Sequence, residues 1–183
     1  MMISLQLPLR DEDILRLRAG DSVLLTGHLY TARDAAHKRL VELADLGKPL
    51  PFDIKNETIY YVGPAPAPPG HAVGSAGPTT SYRMDAYTPK LLELGLKGMI
   101  GKGKRSDEVI EAIKKHSAVY FGATGGAAAL ISKSIISSEI VAYPDLGAEA
   151  IRRFTVENFP VIVLIDCLGN KQYDIGKEQY SGI

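Results

Sequence analysis

The chain has 183 residues, 45% of them hydrophobic, with no Trp and four Phe, so a core of Val, Ile, Leu and Ala is within its means. Its 21 Lys and Arg balance 21 Asp and Glu, and a net charge of zero leaves no electrostatic footprint for nucleic acid or an anionic membrane. One cysteine, Cys167, excludes an internal disulfide and a cluster held by this chain's own cysteines; four histidines without metal-ligand spacing argue against a self-contained zinc site.

The length fits a single unit over 1–183. Residues 1–10 lack the basic-then-apolar pattern of a leader, and the aliphatic run 161–165 is too short for a bilayer, so a cytoplasmic chain is expected. In chain order, a strand is predicted over 4–7 and one or two helical turns over 11–19, stopped by Gly20. A strand over 22–30 precedes a helix over 33–46, whose Ala36, Leu40, Leu43 and Leu46 fall near helical spacing before Gly47 and Pro49 end it. A short strand follows over 58–62. Nine of the eighteen residues 63–80 are Gly or Pro.

A helix is predicted over 85–94 and a strand end at Met99 and Ile100. Ser106 suits the N-cap of a helix over 107–116, with acids in its first turn and Lys114, Lys115 and His116 in its last. Strands are predicted over 118–121, 135–142 and 160–165, a short helix over 147–154, a turn at 168–170 and a final strand over 171–175. The alternation of strands and helices predicts an α/β layered domain.

Four stretches bear on chemistry. In Thr26-Gly-His-Leu-Tyr-Thr-Ala-Arg-Asp-Ala-Ala-His-Lys-Arg39 a strand runs into a helix start. Backbone N–H groups there favour anions, and Arg33 offers a bidentate carboxylate clamp. The plainer reading makes Arg33, Asp34, His37 and Lys38 a solvated helix face. Residues 63–85 read by composition as a flexible linker, yet Gly74-Ser-Ala-Gly-Pro-Thr-Thr-Ser sets small residues and hydroxyls before a cation, Arg83, at a helix entry. Gly98-Met-Ile-Gly-Lys-Gly-Lys-Arg-Ser106 fails the phosphate-loop pattern, because Gly103 stands where Ser or Thr belongs, but it holds Lys102 between two glycines. Gly122-Ala-Thr-Gly-Gly-Ala-Ala-Ala129 suits a nucleotide turn or, more commonly, close backbone packing. Three cations, Arg33, Arg83 and Lys102, thus stand at predicted junctions, and convergent cations suit a small dicarboxylate.

Taken together, Thr31-Ala-Arg-Asp-Ala-Ala-His-Lys-Arg39, Gly63-Pro-Ala-Pro with Gly74-Ser-Ala-Gly-Pro-Thr-Thr-Ser-Tyr-Arg-Met-Asp85, and Gly101-Lys-Gly-Lys-Arg-Ser106 carry a resemblance that spans nearly the whole chain. The chain resembles the β subunit, or C-terminal domain, of the iron–sulfur-dependent class I fumarase and L-tartrate dehydratase family of hydro-lyases. The resemblance implies a layered, swivelling β/β/α domain and reversible hydration of fumarate to L-malate. It implies a 4Fe-4S cluster ligated by a partner α subunit and not by this chain. It also implies substrate-carboxylate contacts from Arg33, Arg83 and Lys102, with Thr79 as proton acceptor, Thr80 as the competing assignment, and support from Asp34 and His37. Lys104 departs from the polar amide expected in the basic motif. L-Tartrate dehydratase is the alternative enzyme, and a non-catalytic dicarboxylate-binding module the alternative of a different class.

Overall fold

The computed structural model describes residues 1–123 and 128–180. Seven strands and six α-helices follow one another: β1 (Met2–Gln6), α1 (Asp11–Arg16), β2 (Ser22–Thr31), α2 (Asp34–Asp45), β3 (Thr58–Tyr60), α3 (Thr88–Glu93), β4 (Gly98–Gly101), α4 (Asp107–His116), β5 (Val119–Ala123), α5 (Ala128–Ser134), β6 (Ile135–Ala142), β7 (Ile151–Ile165) and α6 (Gln172–Tyr180). Short 3-10 turns stand at Ser81–Met84 and Pro144–Glu149.

The strands β1 to β5 pair in parallel, in the order β1-β2-β3-β4-β5. The long β7 then runs antiparallel to β5, to β6 and back to β2. Because β7 pairs with both β5 and β2, the sheet closes into a small barrel. Side chains alternate across each strand. Tyr60, Ile100, Val119 and Phe121 point into the barrel with Val23, Leu25, Leu29, Phe154 and Val161. Ile59, Tyr61, Met99 and Tyr120 point outward, against Ala36 and Leu40 of α2, Leu91 and Leu92 of α3, and Val109 and Ile113 of α4. The two walls of the barrel and the helical layer give the β/β/α layering. Both faces of β3, β4 and β5 are therefore covered, and every residue of these strands is buried, as parallel strands require.

Most of the predicted elements are found, with ends shifted by one to three residues. The span 135–142 is β6, and α4 has its Ser106 cap, whose Oγ accepts the Val109 N–H at 3.3 Å. Three predictions need correction. The span 147–154 is not a helix: the 3-10 turn ends at Glu149 and β7 begins at Ile151. There Ile151, Phe154 and Val156 are buried while β2 and β6 pair on either side, and two flanking strands override a weak local helix signal. The span 171–175 is not a strand but the start of α6. Only Lys171 bridges to Ile165, so no ladder forms to hold the rest extended. The predicted helix 85–94 is shortened to Thr88–Glu93, because Pro89 is tolerated only in the first turn. Helix α5 was not predicted. Of the Gly-rich stretch 122–129, residues 124–127 lie outside the described residues. No helix among the described residues is long and apolar enough to cross a membrane.

Candidate carboxylate site at the ends of the parallel strands

The carboxyl ends of β2, β3 and β4 lie side by side. In α/β folds, open or closed, that edge is where ligands bind. Here each strand hands the chain directly to a segment bearing a candidate residue: Arg33 and Asp34 after β2, residues 61–63 after β3, and Lys102 after β4. The segment 79–85 lies across the same edge. The Thr79 N–H donates to the Tyr61 carbonyl at 2.7 Å. Thr80 bridges to Lys102, and the Ser81 N–H donates to the Lys102 carbonyl at 2.9 Å. All the candidate residues are thus drawn to one rim, with Thr79 and Thr80 half-buried and Lys102 exposed.

Arg33 is the N-cap residue of α2, and no side chain caps that helix. The first-turn N–H groups are left for other acceptors. The guanidinium runs past Gly63: a Cβ on Gly63 would stand 2.9 Å from Arg33 Nη1 and 3.2 Å from the Ala148 carbonyl. The glycine there is the space that Arg33 occupies. Glu149 brings Oε1 to 3.8 Å from Arg33 Nε. Asp34 turns the other way, and its Oδ1 accepts from Arg83 Nε at 3.1 Å.

His37 is fully buried one turn along α2. Its Nδ1 lies 2.8 Å from the Arg33 carbonyl. A carbonyl only accepts, so Nδ1 carries the proton and Nε2 the lone pair. Burial pushes its pKa down to about 4, against the opposing effect of that hydrogen bond, so the ring is neutral at pH 7. Three buried polar atoms in this one turn have no hydrogen-bond partner: Arg33 Nε, Asp34 Oδ2 and His37 Nε2. Buried polar groups are nearly always satisfied, so this concentration marks α2's first turn as a place where a polar ligand or partner group belongs.

Sequence reasoning did not single out the buried framework behind the rim. The Arg105 side chain has no exposure and meets Asp85 Oδ1 at 2.7 Å, Thr88 Oγ1 at 2.8 Å and the Tyr61 hydroxyl at 3.2 Å. Its guanidinium lies over the Tyr120 ring at 4.8 Å. Asp85 Oδ2 also accepts the Ser106 N–H at 2.7 Å. One ion pair thus ties the 79–85 segment to the loop after β4, and breaking it would strand a buried charge. Glu149 was missed as well. It stands 116 residues from Arg33, with no local signal linking them. An apolar cleft of 580 Å³, lined by Ala44, Leu50, Phe52 and Leu94, lies at the far end of α2, roughly 18 Å from this rim at 1.5 Å per residue. The candidate site is an open edge rather than that cleft.

The fold and the rim define an α/β barrel domain with a cationic edge at the ends of its parallel strands. The chain belongs to the family described as Fumarase C-terminus, whose profile matches residues 1–176. It is 49% identical to "Fumarate hydratase class I, anaerobic" of Escherichia coli (strain K12), over 80% of this chain and 27% of that protein. It is 44% identical to "Fumarate hydratase 2" of Leishmania major, over 84% of this chain and 28% of that protein. The chain therefore spans about a quarter of the length of these relatives. It is also 36% identical to "Putative L(+)-tartrate dehydratase subunit beta" of Methanocaldococcus jannaschii, over 94% of this chain and 92% of that protein.

Proposed function

We propose that this chain is the β component of a two-subunit fumarate hydratase, active with a partner α subunit, and that it grips the substrate's carboxylates. The observation that carries the reading is the gathering of Arg33, Arg83 and Lys102 on one strand edge, beside the unsatisfied first turn of α2. Family membership and the names of the relatives support the chemistry. Their length outside the matched stretch agrees with a site to which further sequence contributes.

In this reading Arg33, Arg83 and Lys102 hold the two carboxylates of fumarate or L-malate. In the dehydration direction a proton leaves the carbon next to one carboxylate, and that carboxylate gains charge as it does so. A preorganised guanidinium facing it stabilises the transition state more than the ground state. Thr79 Oγ1 accepts the proton, with Thr80 the alternative. A threonine hydroxyl is too weak a base alone, so its own proton must pass to a carboxylate of the partner. Asp34 aims Arg83, and His37 fixes the backbone that carries Arg33.

This chain's own donors do not fit a 4Fe-4S cluster. Cys167 is its single cysteine, buried with Sγ directed at the Ile14 carbonyl. Among the described residues no three His, Cys, Asp or Glu gather as a metal site. The cluster is assigned to the α subunit, and no step above runs through it.

L-Tartrate dehydration is the second reading, favoured by one observation: a relative matched over 92% of its own length carries that name. The test is direct. Purified alone, the chain should not hydrate fumarate; coexpressed anaerobically with a cluster-bearing α partner, the complex should. Parallel assays with L-malate and L-tartrate separate the two readings. Turnover by the isolated chain at the rate of the complex would contradict the proposal.

A further inference from the structure

The three cations of the rim are not held alike. Arg83 has Asp34 at 3.1 Å and Arg33 has Glu149 at 3.8 Å. No ion pair joins Lys102 among the described residues. A lysine head on four rotatable carbons is poorly preorganised by itself. What fixes it is its backbone.

The Lys102 N–H donates to Ser81 Oγ at 3.1 Å, while the Ser81 N–H donates to the Lys102 carbonyl at 2.9 Å. Ser81 Oγ lies 2.8 Å from the Tyr120 hydroxyl, which lies 2.8 Å from the Gly103 carbonyl. The carbonyl only accepts, so the Tyr120 proton goes to Gly103 and the Ser81 proton goes to Tyr120. The chain of bonds runs from the Lys102 N–H through Ser81 and Tyr120 to the Gly103 carbonyl. It starts and ends on the lysine's own loop. Ser81 and Tyr120 are fully buried. Gly101 makes room for this network, since a Cβ there would stand 1.9 Å from Ser81 Oγ. Ser81 also opens the 3-10 turn that carries Arg83, so one serine is common to the arginine grip and the lysine grip.

We propose that Ser81 and Tyr120 are positioning residues that fix the separation of the Arg83 and Lys102 grips, and so make the rim select four-carbon dicarboxylates. This rests on the dicarboxylate reading above. A monocarboxylate needs one grip and is indifferent to their separation. A diacid needs both at one spacing.

The experiment is calorimetric titration of the complex of this chain with its α partner, using succinate, glutarate and butyrate, for wild type, Tyr120→Phe and Ser81→Ala. Wild type should prefer succinate to the other two. Tyr120→Phe removes one oxygen, and Gly103 keeps the Tyr173 hydroxyl as a donor at 3.1 Å. Losing both buried hydrogen bonds of that oxygen should weaken succinate by roughly tenfold and leave butyrate unchanged, so that the preference collapses. Ser81→Ala should do the same. Unchanged selectivity in both variants overturns the proposal while leaving the dicarboxylate reading in place. Equal weakening of succinate and butyrate also overturns it, because that marks a general loss of structure. A wild-type complex that binds succinate no better than butyrate contradicts the dicarboxylate reading itself, and the positioning role falls with it.

Discussion

The arginine side and the lysine side of the rim are built on different physics. On the first, Arg33 and Arg83 are aimed by the carboxylates of Glu149 and Asp34, each on a neighbouring segment. On the second, Lys102 is placed by neutral hydrogen bonds through Ser81 and Tyr120, with the buried Arg105–Asp85 pair behind them. Partly exposed ion pairs are screened by salt, with a Debye length of about 10 Å at 0.1 M, whereas buried neutral hydrogen bonds are not. A substrate carboxylate must also compete with Asp34 and Glu149 for the arginines, but meets no such rival at Lys102 among the described residues. The arginine side is thus adjustable, while on the lysine side the loop backbone is a fixed gauge.

Acid should separate the two sides most strongly. His37 is held neutral, with a pKa depressed to about 4 from an ordinary 6.5. A base with a depressed folded pKa loses stability as pH falls from the unfolded value to the folded one. The expected loss is on the order of 3 kcal/mol between pH 6.5 and 4, centred on the first turns of α2. Denaturant midpoints across that window check it, and His37→Gln should flatten the slope. Arg83→Ala should next weaken binding of succinate by roughly 10- to 100-fold, the value of a charged hydrogen-bonded contact, with secondary structure intact by circular dichroism.

Gly101→Ala attacks the lysine side. Its Cβ collides with Ser81 Oγ, at a cost of about 1–3 kcal/mol of overpacking, seen as a fall of several degrees in Tm. Asp34→Asn removes the charge that aims Arg83 and should cost a few-fold in affinity, about 1 kcal/mol or less for a partly exposed pair. That cost should shrink as salt is raised, while the cost of Tyr120→Phe should not. Glu57→Gln, away from both sides, should have the smallest effect. Burial, with the charge of Asp53 adding to it, pushes the Glu57 carboxyl up to about 7. A carboxylate with a raised folded pKa loses stability as pH rises from its unfolded value through 7. The variant should therefore melt slightly higher at pH 8, with no gain below pH 4.5 and succinate affinity unchanged.

The arginine side was the more legible of the two in the sequence. Arg33, Asp34 and His37 lie within one helical turn, and Arg83 follows a run of small residues and hydroxyls, so local pattern exposed them. Helix α4 was legible for the same reason: its cap, its charged ends and its apolar face all lie within eleven residues. The fixed gauge was not legible. Tyr120 sits in a short apolar run, Val119–Ala123, where nothing local shows that its hydroxyl is needed 39 residues away by Ser81. Arg105 drew no reading of its own because its partner, Asp85, lies 20 residues back. The start of β7 failed likewise, since its extended state is set by β2 and β6 rather than by its own residues. The alternation of outward Tyr61 and Tyr120 with inward Tyr60 and Phe121 was the one signal that could have marked those hydroxyls as facing the helical layer.

The central claim is that three separate segments act as one grip on one dicarboxylate. It is tested most directly by following backbone amide resonances of the chain during titration with fumarate. Signals from 32–37, 79–85 and 101–106 should shift together along a single saturation curve. Shifts confined to one of these segments, or separate curves for each, would contradict it.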